Sequence, residues 1–124
     1  MAPNKLYRIY MPDTLPVFFR TVDFLVNALV NGRPLAAESS DGKLLHFKAP
    51  TFKQVLLKNI IVPEGQEPHR ILKMHIQLYK NLGFLVSEDS RLTNTAWIGG
   101  RSMRVVTIRK GVYEALKAME TGDD

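Results

Sequence analysis

The chain has 124 residues, of which 45% are hydrophobic and 23% charged, a formal net charge of +5, and no cysteine. This length and apolar content predict a single domain, residues 1–124, whose core needs no cross-links. The lack of cysteine excludes a disulfide framework and a thiolate metal site, as is usual in the cytoplasm, where we expect the protein. Neither a signal pattern nor an apolar run of bilayer-spanning length occurs, so we expect no membrane partner.

Positive charge is concentrated in the middle of the chain. Residues 1–41 are balanced, residues 42–62 carry four lysines and no acidic residue, and residues 63–111 carry eight basic against four acidic residues. The end is acidic, and residues 120–124 are interpreted as an acidic tail. A basic zone of this kind is typical of a nucleic-acid-binding surface or of a merely solvated one, and charge alone does not separate the two.

The first predicted helix is strongly apolar. It follows an N-terminal arm, residues 1–12, whose secondary structure the sequence leaves open. Asp13 or Thr14 can cap the helix, and Asn31-Gly32 is predicted to stop it. Because only a narrow stripe of this helix is polar, we expect it to lie centrally in the core, with part of it available as a subunit interface.

A loop, a short strand and a second helix are predicted next. Residues 32–42 are turn-rich and polar, and residues 43–48 alternate as in a strand. Thr51 and Gln54 have the spacing of a capping box, which predicts the start of the second helix. Residues 63–65, Pro-Glu-Gly, are predicted to break the helix.

The third helix is basic and amphipathic. It is predicted to begin near Glu67, with Pro68 at its first position, and to end at residues 81–83. At 100° per residue its side chains separate into two faces. The polar face carries His69, Arg70, Lys73, Gln77, Lys80 and Asn81, and the apolar face carries Ile71, Leu78, Tyr79 and Leu82.

The remaining chain predicts a long hairpin and a closing helix. Residues 84–87 and 104–108 read as antiparallel strands. Between them, residues 93–102 form a hairpin extension that turns at Gly99-Gly100, where positive φ is tolerated. The last helix is predicted over residues 112–119.

This order of elements resembles a winged helix-turn-helix domain. Residues 82–86, Leu-Gly-Phe-Leu-Val, resemble the segment that leaves the recognition helix in MarR-like transcriptional regulators. Residues 101–107 and 109–111 resemble the return strand of their wing and the start of the next helix. The likeness covers roughly residues 43–120. It implies an α+β winged-helix fold with a three-helix core, a small antiparallel sheet with a long wing hairpin, and a short C-terminal helix.

Several features depart from that family. The break at residues 62–66 is longer than a tight helix-turn-helix turn, and the hairpin is apolar at residues 96–98. The closing helix is too short to be a MarR-like dimerisation helix, which argues against a pocket for a small-molecule effector. The sequence therefore favours two functions. One is sequence-specific duplex-DNA binding as a homodimeric transcriptional regulator. The other is a winged-helix interaction module in a replication, transcription or other assembly.

For the first function, the helix at residues 67–83 is predicted to read the major groove, and the wing at residues 91–104 to meet the backbone or minor groove. Trp97 could stack on bases, although covering the root of the wing or packing on a neighbouring molecule is the commoner role. The predicted DNA-binding residues are Lys53, Lys58, Gln66, His69, Arg70, Lys73, Gln77, Lys80, Arg91, Arg101 and Arg104.

The sequence predicts neither catalysis nor a cofactor. His69 and His75 are six residues apart, which is not the spacing that places two metal ligands on one helix face, and His75 is interpreted as a hydrogen-bonded core histidine. No phosphate loop, dinucleotide fingerprint or paired-carboxylate signature occurs. The residues predicted to form a homodimer interface are Leu6, Ile9, Tyr10, Phe18, Phe19 and Val26.

Overall fold

The structure, a computed structural model, describes residues 13–88 and 91–121, with Thr121 described by its backbone alone. It has the α+β composition that the sequence predicts. The predicted arm, with Leu6, Ile9 and Tyr10, lies outside the described residues. The elements are α1 (Thr14–Asn27), β1 (Leu29–Val30), β2 (Arg33–Pro34), β3 (Ala36–Glu38), β4 (Leu44–Lys48), α2 (Ala49–Asn59), α3 (Pro68–Asn81), β5 (Asn94–Ile98), β6 (Arg101–Arg109) and α4 (Lys110–Thr121).

Helix α1 is central to the core, as its apolar sequence predicts. Val17, Phe18, Val22 and Leu25 are buried, and α1 packs against both α2 and α4. Asp13 is the N-cap residue, but it acts through its backbone carbonyl, since its side chain makes no cap hydrogen bond. Among the helices of the two described ranges, none is long and apolar enough to cross a bilayer.

The end of α1 differs from the prediction. The helix stops at Asn27, and the next residues form a small hairpin of β1 and β2. Asn31 and Gly32 are its turn, with φ values of 54° and 77°. Asn-Gly suits a two-residue hairpin turn because both positions require positive φ. The predicted loop at residues 32–42 is also more ordered, since it contributes β2 and β3.

Four strands form an antiparallel sheet in the order β3-β4-β6-β5. The register pairs Phe47 with Val106 and Leu45 with Ile108. These four side chains are buried on one face of the sheet, against the described helices. Since side chains alternate between the faces of a strand, Lys48 and its partner Val105 lie on the opposite face.

The predicted strand at residues 84–87 is reduced to one bridge, between Leu85 and Ile108. The Val86 N–H donates to the Thr107 carbonyl at 2.9 Å, and the chain then leaves the sheet. It returns as β5, and the Asn94 amide donates to the Val86 carbonyl at 2.6 Å across the excursion. The strand predicted at residues 84–87 is therefore shorter than predicted, and β5 is a separate strand.

Helix α2 begins earlier than the capping box predicts. Its first residue is Ala49 and its N-cap is Lys48, which makes no side-chain cap bond. Thr51 therefore lies inside the first turn, where it cannot act as the N-cap. Pro50 explains the shift, because the fixed φ of proline suits the first turn of a helix.

Candidate nucleic-acid interface

Helix α3 carries the surface predicted for DNA, and Glu67 fixes where the helix starts. The Glu67 carboxylate accepts hydrogen bonds from the backbone N–H groups of His69 at 3.1 Å and Arg70 at 3.0 Å. N–H groups in the first turn lack the usual carbonyl partner one turn earlier, and the carboxylate supplies an acceptor to both, while the Arg70 N–H also donates to the Glu67 carbonyl at 3.1 Å. Pro68 follows at the first helical position. The predicted start of the helix is confirmed.

The inner face of α3 is anchored in the core. Its buried residues are Ile71, Leu72, His75, Ile76 and Tyr79. Leu82, which the sequence assigns to this face, follows the last turn and is 50% exposed. The Tyr79 ring packs edge-on against Phe18 at 4.8 Å between centroids. Such a contact fixes the rotation of the helix about its axis, and so fixes which side chains point outward.

Phe18 corrects one part of the predicted dimer interface. Its side chain has no exposed area and contacts both Tyr79 and Phe84, whose ring centroid lies 5.0 Å away. A residue buried inside the monomer has no surface to offer a partner. Phe18 therefore belongs to the core, and it couples α1 to the inner face of α3.

His75 is the hydrogen-bonded core histidine that the sequence predicts. It is 2% exposed, and its Nδ1 lies 3.1 Å from the Tyr79 hydroxyl. Burial lowers the pKa of His75 to about 4, and the Asp13 carboxylate opposes this only in part. The imidazole is therefore neutral at physiological pH. It helps to hold α3 in place and takes no part in a charged surface.

We expect this histidine to make the protein acid-sensitive. An unfolded chain protonates histidine near pH 6.5, whereas the folded chain resists until about pH 4. Folding stability is therefore full above pH 6.5 and is lost as the pH falls through this window, by about 3 kcal/mol at most. Urea unfolding at pH 7 and pH 4 measures the loss. The His75→Gln variant keeps a hydrogen-bonding side chain but cannot titrate, so the loss of folding stability attributed to His75 should be absent from it. An unchanged pH dependence of stability in this variant would contradict the assignment.

The outer face of α3 presents His69, Arg70 and Lys73 to solvent. Arg70 and Lys73 are three residues apart, so both side chains point the same way. Gln77 continues this line and is half-buried, with its amide donating to the Asn81 side chain at 3.1 Å. The structure thus places Arg70, Lys73 and Gln77 along one side of the helix that is predicted to read the major groove.

Lys80 differs from the predicted role. Its ammonium group donates hydrogen bonds to the backbone carbonyls of Glu88 and Arg91, the latter at 2.7 Å. These carbonyls belong to the excursion between Val86 and β5. Lys80 therefore ties that loop to α3, which leaves its side chain less free to reach DNA than those of Arg70 and Lys73.

The β5–β6 hairpin overlaps residues 91–104, the segment predicted to act as a wing. It turns at Gly99-Gly100, with φ values of 61° and 82°, which confirms the predicted turn. Arg104 lies on this hairpin, and its guanidinium donates to the Thr93 hydroxyl at 3.0 Å. Trp97 pairs with Ser102 in the register, so alternation along β6 puts Trp97 on the same sheet face as Arg104 and the core residue Val106.

Trp97 does not cover the root of the wing. It is 76% exposed, the highest value among the large hydrophobic side chains of the described residues. Arg101, by contrast, lies on the opposite face of the hairpin, because it is one residue away from Ser102. Trp97 and Arg101 therefore lie on opposite faces of the hairpin.

Lys80 apart, the basic residues predicted to bind DNA lie outside the salt bridges of the described residues. The part of the chain that the structure describes has two salt bridges, Lys110 to Glu38 and Lys117 to Asp23, and neither includes a predicted DNA-binding residue. The exposed residues outside α3 are Lys53 and Lys58 on α2, and Arg91, Arg101 and Arg104 around the wing, while Gln66 before α3 is half-buried. Unpaired surface cations of this kind create a positive field over α2, α3 and the hairpin.

A second exposed surface, the α1–α4 surface, is apolar. We define it by Leu15, Phe24 and Met119, which are 45%, 59% and 69% exposed. The two predicted interface residues nearby contribute less, because Phe19 is 8% exposed and Val26 is half-buried. The exposure of Phe24 was not predicted from the sequence. It could have been, because Phe24 follows the polar residue Arg20 by one helical turn and therefore lies on the same side of α1.

Tyr113 explains why Phe19 is covered. Its ring stacks on Phe19 with the centroids 6.0 Å apart, and its hydroxyl donates to the Asp23 carboxylate at 2.7 Å. Burial, followed by this hydrogen bond, raises the pKa of Tyr113 to about 12. Burial would also raise the pKa of Asp23, but the hydrogen bonds from Tyr113 and Lys117 lower it overall. The predicted interface role of Phe19 is therefore corrected in the same way as that of Phe18.

No protein-family model matches the chain, and no curated protein is significantly similar to it in sequence. Within residues 13–88 and 91–121, no three His, Asp or Glu side chains are grouped closely enough to hold a metal ion. Function must therefore be inferred from the residues and their geometry.

Proposed function

We propose that the protein is a winged-helix duplex-DNA-binding protein that acts as a small homodimeric regulator of transcription in the cytoplasm. Support comes from the order of the elements from α1 through β4, α2, α3, β5 and β6. It also comes from the sheet, in which β6 lies between β4 and β5. No catalytic step, cofactor or small-molecule effector forms part of the proposal.

The outer face of α3 carries the proposal. Arg70 and Lys73 are exposed there, on a helix whose rotation is fixed by Tyr79, and neither forms a salt bridge within the described residues. An α-helix fits the major groove of duplex DNA, where Arg can pair bidentately with guanine and Gln with adenine. We assign base contacts to Arg70 and Gln77, and a phosphate contact to Lys73.

The remaining basic residues surround this face and are assigned to the DNA backbone. Contacts of this kind fix the position of the protein on the duplex without reading its sequence. Trp97 and Arg104 share one face of the hairpin, so we assign them to the wing contact. The residues assigned to phosphates are Lys53, Lys58, His69, Arg91, Arg101 and Arg104, with Gln66 beside them.

Salt dependence of duplex binding tests this proposal. Each phosphate contact contributes about −0.9 to the slope of log K against log salt concentration. For three or more contacts we expect a slope of about −3 or steeper for wild type, measured by fluorescence anisotropy with a labelled duplex. Lys73→Ala should be shallower by about one unit. Lys43→Ala, at the sheet end opposite the hairpin turn, is the matched control and should keep the wild-type slope. A slope near zero, or no binding at low salt, rejects the proposal.

The homodimer is part of the proposal and rests on the α1–α4 surface. Exposed apolar groups are a typical feature of subunit interfaces. Arg20 and Glu120 border the same surface, so a two-fold arrangement can place each charge opposite its counterpart. A two-fold dimer is also what reading two half-sites one helical turn apart requires.

A protein-interaction module is the second candidate, and Trp97 is the observation that favours it. An aromatic side chain with 76% exposure on a hairpin is suited to anchoring a protein partner as well as to stacking on a base. Trp97→Ala separates the two candidates. Loss of duplex affinity supports DNA binding, whereas unchanged duplex affinity together with loss of a co-purifying protein favours the module.

A further inference from the structure

A groove lies between the β1–β2 and β5–β6 hairpins, and no residue of α3 lines it. Strand β6 begins at Arg101, but β4 pairs with it only from Val105 onward. The first residues of β6 therefore have a strand on one side only. The β1–β2 hairpin stands beside this open stretch, and a groove of about 330 Å³ lies between them.

Three cations line the groove. Arg33 comes from the β1–β2 hairpin, Lys48 from the end of β4, and Arg101 from the start of β6. All three side chains are exposed, and neither salt bridge of the described residues includes them. Like charges around one concave space repel each other, so the groove favours an anion that balances them.

The remaining lining is apolar. Val30, Ile98 and Met103 contribute side chains beside the cations. A small inorganic anion would leave this part of the groove wetted, whereas a phosphate attached to a flat or apolar group would use both parts. The volume is at the lower end of the range for small-ligand pockets, and it suits one nucleotide.

We propose that the groove between the β1–β2 and β5–β6 hairpins binds one nucleotide unit, with its phosphate on Arg33, Lys48 and Arg101 and its base against Ile98 and Met103. The nucleotide is either free or part of a single strand. The site lies on the sheet face opposite Trp97, and Arg101 is the one residue it shares with those assigned to the duplex. Sequence reasoning missed Arg33 because the β1–β2 hairpin was not predicted, and it missed Lys48 although the strand at residues 43–48 was predicted.

Isothermal titration calorimetry with AMP, inorganic phosphate, deoxyadenosine and hexathymidylate tests the site. We expect wild type to bind AMP more tightly than inorganic phosphate, and to bind deoxyadenosine weakest, because it lacks the phosphate. Arg33→Ala and Lys48→Ala should each weaken AMP by about tenfold or more, as one lost charge-assisted hydrogen bond predicts. Lys43→Ala is the matched control and should bind AMP as wild type does.

The apolar half of the groove has its own variant. Ile98→Ala should weaken AMP while leaving inorganic phosphate unchanged, which a purely electrostatic surface would not do. If hexathymidylate binds and AMP does not, with the same losses in Arg33→Ala and Lys48→Ala, the nucleotide belongs to a strand. The proposal is overturned if neither ligand binds wild type, or if both charge variants bind as wild type does. Arg70→Ala should leave AMP binding intact, so failure of duplex binding is distinguished from failure of the groove.

Discussion

Replacing Arg70 and Lys73 together with glutamate should weaken duplex binding by about a hundredfold or more. The two substitutions remove one base contact and one phosphate contact, worth about 3 kcal/mol or more in sum, and they add repulsion from the DNA backbone. Both side chains are exposed, so folding stability should change by less than about 0.5 kcal/mol per substitution. Anisotropy at constant salt measures the affinity, and thermal unfolding checks the fold.

A matched charge reversal controls this prediction. Lys43→Glu changes the net charge by the same amount as Lys73→Glu. Lys43, however, precedes Leu44, and the Leu44–Arg109 pair is at the end of the sheet opposite the hairpin turn. We expect Lys43→Glu to lower duplex affinity far less than Lys73→Glu. Equal losses in the two single variants would mean that only the total charge matters, and α3 would then have no special role.

Substituting Phe24 with aspartate should convert the protein from dimer to monomer. Phe24 is 59% exposed, so the charge should be tolerated by the isolated monomer but not at an apolar interface. A monomer would contact one half-site only, so duplex affinity should fall by about a hundredfold. This is the lower end of the gain in affinity that bivalent binding provides. Light scattering coupled to size exclusion measures the mass.

Ile61→Asp is the control for the dimer, since Ile61 is equally exposed, at 61%, but lies in the connection between α2 and α3. It should leave the mass unchanged. Phe19→Asp is unsuitable as a test, because Phe19 is stacked on Tyr113 and a buried charge there would unfold the monomer. A wild-type monomer, or a Phe24→Asp protein with the wild-type mass, would contradict the α1–α4 interface.

Helix α3 and the hairpin turn could be predicted from sequence because their signals are local. The Glu67 cap and Pro68 fix the helix start within a few residues of chain, and the spacing of apolar residues then defines its buried face. Gly99-Gly100 likewise fixes a two-residue turn without reference to the rest of the fold. The candidate site on α3 follows directly, since its outer residues are those left after the buried face is assigned.

Other features depend on contacts between distant residues. Helix α1 is apolar on most sides, so its sequence alone does not show that Phe18 faces inward and Phe24 outward. The orientation of the helix is set by contacts with distant residues, which are Tyr79 against Phe18 and Tyr113 against Phe19. Asn31-Gly32 signals either a helix end or a hairpin turn.

The faces of the hairpin also require the pairing register. A shift of one residue in the β5–β6 pairing would move Trp97 to the face that carries Arg101, and the pairing of β6 with β4 decides which face lies toward the core. The separation of the proposed wing contact from the inter-hairpin groove therefore could not be predicted from the order of residues alone.

The central claim is that the outer face of α3 docks on duplex DNA, and an NMR titration of the ¹⁵N-labelled protein tests it most directly. With a duplex at low salt, we expect the largest shifts at the amides of Arg70, Lys73 and Gln77, together with the indole N–H of Trp97. Chemical shift changes confined to the α1–α4 surface would contradict the claim. The absence of any shift change when the duplex is in large excess over the protein would contradict it as well.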